Sequence, residues 1–385
     1  MSPPRPIADN QSERLRALQD SQPCSRADCV MEALDPDRIL SFVDTFPPPP
    51  GEVRDFLAGG DVQPSQLIRA LRSAFSPDGP TIGDTPWWDH AIAVAEGAAM
   101  VAESTESADP RMAYVAGFLH DVGHLVMVRL DPQAFHQVLT RQGDGTPFMA
   151  IERELCGLDH VRIGEHFARR WGLPDEICAV VRGHHELEGE ITPLFASVVL
   201  ADVWAQVLGY GYDFPAGGIS FRVDEAALSA DLIWSEQIDL LAQADYRVVA
   251  RRRELGATPR PFASKDGGAE RALWVSVHGG EPTPLGRMLL QHRGYEVVHV
   301  AATERLEAQG ASLILIDSPW AEPDEVGDLV TALVPDGHAH VALLAEVGPE
   351  QTSRRRDPLS GICGIPRMFT AFDLRWLQSC PAVVG

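Results

Sequence analysis

The chain has 385 residues, 45% hydrophobic and 23% charged, the composition of a globular protein with room for two or three domains. Its 55 acidic residues against 32 basic ones leave a formal net charge of −23, which repels phosphate backbones and disfavours general nucleic-acid binding. No run of about 18 uninterrupted apolar residues and no apolar leader occurs, so neither a membrane span nor a signal peptide is expected.

Residues 1–35, rich in Pro, Ser and charge, are expected to be loosely ordered or disordered. "FPPPPGEV" at 46–53 reads as a stiff, extended turn. "PSQLIRALRSAF" at 64–75 carries Leu67, Ile68, Leu71 and Phe75 at helical spacing. From residue 87 to about 250 one helical pattern follows another: "HAIAVAEGAAMVAE", "MAYVAGFLHDVGHLVMV", "DHVRIGEHFARRW", "PDEICAVVRGHHE" and "PLFASVVLADVWAQVL". Strand-like alternation is scarce there, which predicts one all-α domain over 36–255. The basic runs "RRRE" at 251–254 and "RRRD" at 354–357 each read as a solvated boundary or loop. Turn formers in "GATPRPFASKDGG" make 256–270 a linker. Within 271–385 the pattern changes to short β-rich runs, "ALWVSV", "YEVVHV", "SLILID" and "HVALLAE", alternating with helix-like segments. That alternation predicts a small α/β domain with buried parallel strands. Six cysteines (Cys24, Cys29, Cys156, Cys178, Cys363, Cys380) are scattered without a CxxC pair, as reduced thiols of a cytoplasmic protein would be.

Eight of the thirteen histidines fall between 90 and 185. In "AGFLHDVGH", residues 116–124, His120 and His124 are four apart and are expected on one face of a single helix, with Asp121 about 100° from His120. His90, His160 and the pair His184–His185 join them, and Asp202 follows inside "SVVLADVWA". An ionised carboxylate in so apolar a helix costs several kcal/mol unless paired or bound to a cation. Imidazoles and carboxylates together form a ligand set for divalent iron, manganese or zinc. His136, His166 and the five C-terminal histidines read as hydrogen-bonded or surface residues.

"LHDVGH", with "WWDHAIAVA" upstream and "LAD" downstream, resembles the HD superfamily of metal-dependent phosphohydrolases. The run "ERELCGLDHVRIGEHFARRWGLPDEICAVVRGHHE" is similar to the HDOD family, a branch related to the HD-GYP cyclic-di-GMP phosphodiesterases, and the resemblance covers residues 36–255. It implies that His120 and Asp121 are the defining pair, completed by His90 and Asp202 into one metal site. It also implies that His160, His184 and His185 hold a second metal, with Asp121 bridging. The implied cofactor is a dinuclear divalent metal centre, iron or manganese favoured and zinc also admissible. Asp121 and His124 are the candidate catalytic residues, His124 standing where HD-GYP members carry a lysine near the phosphate. Many HDOD members lack some ligands, whereas this chain keeps the set. The Gly-Tyr-Pro loop of HD-GYP enzymes is missing after the histidine pair, and "GYGYDFP" at 209–215 follows Asp202 and reads as a turn.

Residues 271–385 resemble a response-regulator receiver domain, with Asp317 at the end of the third strand in the phosphoacceptor position. His278 and two glycines replace the acidic pair that would hold magnesium, and Ile365 precedes Pro366 where a lysine is usual. The expectation is a multidomain chain: an all-α HD/HDOD helical domain followed by a small, non-phosphorylatable, receiver-like (flavodoxin-like) α/β domain. The leading functional reading is a bacterial-type cytoplasmic signal-transduction protein whose metal-binding HDOD domain is coupled to a module that contacts signalling proteins or pairs as a homodimer. The alternative is an active di-metal phosphohydrolase acting on a phosphate-containing small molecule, a nucleotide or cyclic dinucleotide.

Overall fold

The computed structural model describes residues 35–75, 86–141, 148–186, 191–211, 231–257, 270–277, 281–301, 311–318, 338–345, 355–356, 363–366, 371–381 and 383–384. The N-terminal 34 residues, most of the 256–270 linker, His278 and the second half of "GYGYDFP" lie outside the described residues.

Three short helices open the fold: α1 (Pro36–Val43), α2 (Gly51–Leu57) and α3 (Pro64–Phe75). Asp35 caps α1 by accepting the Asp37 N–H, while Pro36 sits in the first turn, where a missing N–H costs nothing. The prolines of "FPPPPGEV" stay out of helix, and α2 starts at Gly51 directly after them. Helix α3 buries Leu67, Ile68, Leu71 and Phe75, the four expected positions. Helix α4 (Pro86–Thr105) is apolar almost all round and is therefore the central element. It packs against α5 (Pro110–Leu119), α11 (Pro193–Val207) and α12 (Asp231–Glu254). Between them run α6 (Val122–Leu130), α7 (Pro132–Arg141), α8 (Phe148–Cys156), α9 (His160–Arg170) and α10 (Asp175–Gly183). Among the described residues, no helix is long and apolar enough to cross a membrane.

Two expectations are corrected. "AGFLHDVGH" is not one helix: α5 stops at Leu119, Asp121 adopts φ −103° and ψ 20°, and α6 restarts at Val122. Groups outside the helical ladder hold the break. The Trp87 indole donates to the Asp121 carbonyl at 2.9 Å, and the His120 ring bonds back to the Gly117 carbonyl at 2.7 Å. Nor is "RRRE" a solvated boundary. It ends α12, where Arg251 reaches Glu96 at 2.7 Å and the nearly buried Arg252 reaches Asp89 at 3.0 Å, both acids on α4. Two acids inside an apolar helix need those cations.

The α/β region is a sheet in the order β2-β1-β3-β4-β6-β5, with β7 pairing β4 from outside that path. Strands β1 (Glu270–Ser276), β2 (Tyr295–Ala301), β3 (Ala311–Asp317), β4 (His338–Ala345) and β6 (Cys363–Pro366) run parallel. Strand β5 (Arg355–Arg356) is antiparallel to β6, and β7 (Val383–Val384) is antiparallel to β4. This is the flavodoxin-like order expected. One sheet face, with Ala272, Trp274, Leu313 and Leu315, joins α13 (Pro284–Gln291), α14 (Ala371–Ser379) and the helical bundle in a continuous apolar core. The other face, with Val275, Ile314, Ile316 and Val341, forms a separate cluster. Asp317 ends β3 only 4% exposed, with the Trp274 indole donating to its carboxylate at 3.4 Å.

Candidate metal centre

Four chain segments deliver the first group of ligands. His90 comes from the first turns of α4, His120 from the end of α5, Asp121 from the break before α6 and Asp202 from the middle of α11. His90 Nε2 lies 3.3 Å from His120 Nε2, 3.2 Å from Asp202 Oδ1 and 3.6 Å from Asp121 Oδ2. His120 Nε2 is 3.5 Å from the same Asp121 oxygen. The other Asp121 oxygen faces the second group. His160 Nε2, at the start of α9, is 3.4 Å from Oδ1, and His184 Nε2, at the end of α10, is 3.3 Å from it. His185 Nε2 sits 3.0 Å from His160 Nε2. The ligand-capable atoms of His90, His120 and Asp202 lie within 4.8 Å of one another, as do those of Asp121, His160, His184 and His185. All seven residues named from the sequence therefore meet, and the Asp121 carboxylate divides its two oxygens between the halves.

The ring orientations decide what this cluster can hold. A carbonyl oxygen only accepts hydrogen bonds, so an imidazole nitrogen facing one must carry the proton. His90 Nδ1 faces the Tyr210 carbonyl at 3.2 Å, His120 Nδ1 that of Gly117 at 2.7 Å, and His184 Nδ1 that of Val181 at 3.2 Å. His160 Nδ1 donates to the Glu152 carboxylate at 2.7 Å. With Nδ1 protonated in each neutral ring, every Nε2 presents a lone pair inward, toward another lone pair or a carboxylate oxygen. Such facing acceptors repel unless a cation or a proton sits between them. Asp121 Oδ1, His184 Nε2 and Asp202 Oδ1 are buried without a well-aligned hydrogen bond, as unfilled ligand positions would be.

The electrostatics agree. Burial pulls His120 down to about 4, which keeps it neutral. Burial also pushes His185 well below its usual value, helped by His184 and His160. Burial would likewise lower His90, but Asp202 and Asp121 outweigh it and raise it. Burial would push Asp121 and Asp202 up, but the facing imidazoles hold both carboxylates below their usual range. The His120 and His185 imidazoles, kept neutral beside ionised carboxylates, are donors of the kind divalent cations bind, so the donor set fits such a pair.

His124 borders the ligands, and with Glu152 and His160 it makes a third group of ligand-capable atoms within 4.8 Å of one another. Its Nδ1 is 3.2 Å from Asp121 Oδ2 and its Nε2 is 2.7 Å from Glu152 Oε1. Burial would lower it, but these two carboxylates raise it to about 10, so it is an imidazolium at neutral pH. Glu152, on α8, was not singled out from the sequence. It is 0% exposed and takes the His160 backbone N–H at 3.0 Å as well as both ring contacts. His136 is exposed, and His166 pairs with Asp44 at 3.3 Å outside the site.

Residues 68–187 match the HDOD domain family, a span that contains His90, His120, Asp121, His124, Glu152, His160, His184 and His185 but not Asp202. An uncharacterized protein of Treponema pallidum (strain Nichols) is 27% identical over 99 residues, 25% of this chain but 19% of that protein's length. Among solved structures, an HDOD domain protein with unknown function from Geobacter sulfurreducens is 20% identical, covering 64% of this chain and 88% of that one at a TM-score of 0.36. The MmoQ response regulator from Methylococcus capsulatus str. Bath is 19% identical, covering 58% and 80% at a TM-score of 0.33.

Proposed function

We propose that this protein is a signal-transduction protein in which the HDOD region holds two divalent cations and the α/β region contacts a partner protein or a second copy of the chain. The observation that carries the reading is the division of the Asp121 carboxylate, with Oδ2 facing His90 and His120 and Oδ1 facing His160 and His184. His90, His120 and Asp202 would hold one cation, and His160, His184 and His185 the other. Nitrogen and oxygen donors without thiolate favour iron or manganese, with zinc admissible.

A bound pair of this kind lowers the pKa of water and neutralises charge on phosphoryl oxygens. The chain's own residues prepare for it. Asp121 presents one oxygen to each half, and the Nδ1 anchors aim each Nε2 inward. His124 has both ring nitrogens on carboxylates and is a positioning residue: it places Asp121 and Glu152 rather than offering a proton to a substrate. A second reading, a phosphohydrolase acting on a nucleotide or cyclic dinucleotide, is favoured by the same complete set. Asp317 is buried and accepts the Trp274 indole N–H, without the acidic pair or the lysine of a working receiver, so the α/β region acts by contact rather than by phosphorylation.

Metal analysis of protein purified without chelators is expected to find bound iron or manganese. A phosphodiesterase screen with added manganese or iron(II) then separates the readings. Bound metal without turnover across nucleotides favours the regulatory role, and turnover lost in a folded Asp121→Ala variant favours the enzyme. Protein that takes up none of these metals sinks both.

A further inference from the structure

The turn after α11 reaches both the metal centre and the α/β region. Gly209 (φ 77°) and Gly211 (φ 127°) adopt conformations that side chains resist, and between them Tyr210 is doubled back, its N–H on the Ala205 carbonyl at 2.8 Å. This aims the Tyr210 carbonyl at His90 Nδ1, 3.2 Å away, and fixes Nε2 as the inward nitrogen. A Cβ on Gly211 would lie 3.1 Å from that same Nδ1, so the backbone passes against the ring.

Contacts from the α/β region hold the turn in place. Arg375, on α14, donates to the Gly209 carbonyl at 3.2 Å. His292, at the end of α13, bonds Asp245 of α12 at 3.0 Å, and the other oxygen of Asp245 takes the Tyr210 hydroxyl at 2.6 Å. A chain of hydrogen bonds therefore runs from His292 through Asp245 and Tyr210 to His90. The anchors of the other half, Glu152 on α8 and Val181 on α10, belong to the helical region.

We propose that the α/β region sets the cation affinity of the His90–His120–Asp202 half alone, by clamping the Gly209–Tyr210–Gly211 turn that positions His90. A partner that shifts the α/β region would then change the loading of one half and spare the other. This rests on the metal reading of the site. It makes Tyr210, Asp245, His292 and Arg375 positioning residues, since none of them reaches the ligand pocket.

The test is a calorimetric titration of the metal-stripped, full-length protein with Mn²⁺, alongside Asp202→Asn to identify the affected half. An Arg375→Ala/His292→Ala double variant is expected to weaken that same half about 10-fold, the lower end of what outer anchors of metal ligands supply, and to leave the other within about 2-fold. Tyr210→Phe, which loses the hydroxyl bond to Asp245, should show the same split at smaller size, and Arg375→Lys in place of Arg375→Ala should restore part of the loss. Two unchanged affinities overturn the proposal. So does equal weakening of both halves with a lowered melting temperature, the mark of a merely structural role. Wild-type protein that takes up no Mn²⁺ instead fails the metal reading, and this proposal with it.

Discussion

Glu152 is where a single side chain does most for the site without touching a cation. Its two oxygens receive three donors, the His160 N–H, His160 Nδ1 and His124 Nε2, and it has no exposed surface. Burial would raise such a carboxyl, yet His160 and His124 hold it well below its usual range, so it is an anion. Replacing it with Ala removes the group that fixes the His160 ring and leaves the His124 cation with one carboxylate fewer. We expect Glu152→Ala to weaken cation binding at the His160–His184–His185 half by about 10- to 100-fold. Glu152→Gln, which keeps an acceptor, should lose less, and competition against a chelator would measure both. Equal affinity in all three proteins would show that the carboxylate is a bystander. Glu152 could have been found in "FMAIERELC", because it shares the apolar stripe of Phe148, Ile151, Leu155 and Cys156 while Glu154 points to solvent. The histidines were legible because the crowding of eight of thirteen into one quarter of the chain is improbable without a purpose. A lone glutamate on a short amphipathic helix carries no such signal unless its face is checked.

The junction of α5 and α6 shows why a helical pattern does not reveal where a helix stops. "AGFLHDVGH" has apolar residues on both sides and no proline, so no helix-stop residue marks the end. The break is held by the His120 ring on the Gly117 carbonyl and by Trp87, 34 residues away in sequence. Gly123 lets α6 pass close to α9, since a Cβ there would collide with the His160 carbonyl oxygen at the start of α9. Backbone cannot yield as a side-chain tip does, so Gly123→Ala must separate α6 from α9, and His160 leaves Asp121. We expect it to cost about 1–3 kcal/mol or more in urea unfolding, as overpacking does, and to abolish metal uptake. Gly51→Ala, with open space around the new Cβ, should do neither. The tie between α4, α5 and α12 gives a second test. Tyr114 of α5 donates to Glu96 of α4 at 3.0 Å, and Arg251 of α12 donates to the same carboxylate at 2.7 Å. Burial, with Glu96 adding to it, raises the Tyr114 phenol well above its ordinary value. The folded protein therefore keeps a proton that the unfolded chain sheds near pH ~10. Stability contributed by Tyr114 is complete below that pH and falls as pH rises through it, because the unfolded state then binds fewer protons. The stability difference between wild type and Tyr114→Phe should accordingly shrink between about pH 8 and pH 11. A constant difference would mean that the phenol ionises normally. Glu96 was open to the reasoning that singled out Asp202, a charge inside an apolar helix that demands a partner.

Parallel strands were legible from alternating β-rich and helical runs, since buried parallel strands need intervening helices, and their order came from the resemblance to receiver domains; the sheet follows both. How the two regions join was not legible, because it depends on α12 and on one sheet face merging with the bundle core. Asp317 is the test of what the sheet does. Acetyl phosphate should leave the protein's mass unchanged, since Asp317 is buried, accepts the Trp274 indole N–H and lacks the groups that would hold magnesium and phosphate. A phosphorylated Asp317 would return the region to the working receivers. The metal centre bears on the stability of the whole chain in a different way. Its ligands come from α4, α11, the α5–α6 junction, the start of α9 and the end of α10, segments that the unfolded chain scatters between residues 90 and 202. A cation bound there is bound only by the folded state, so at about 100 times its dissociation constant it adds ~2.7 kcal/mol to the free energy of unfolding. Because Asp121 faces both halves, Asp121→Asn should abolish that increment, whereas Asp202→Asn should leave the part contributed by His160, His184 and His185. A net charge of −23 offers divalent ions many weak sites elsewhere. Stabilisation by Mn²⁺ that survives intact in Asp121→Asn would therefore locate the binding on the acidic surface and not among the helices.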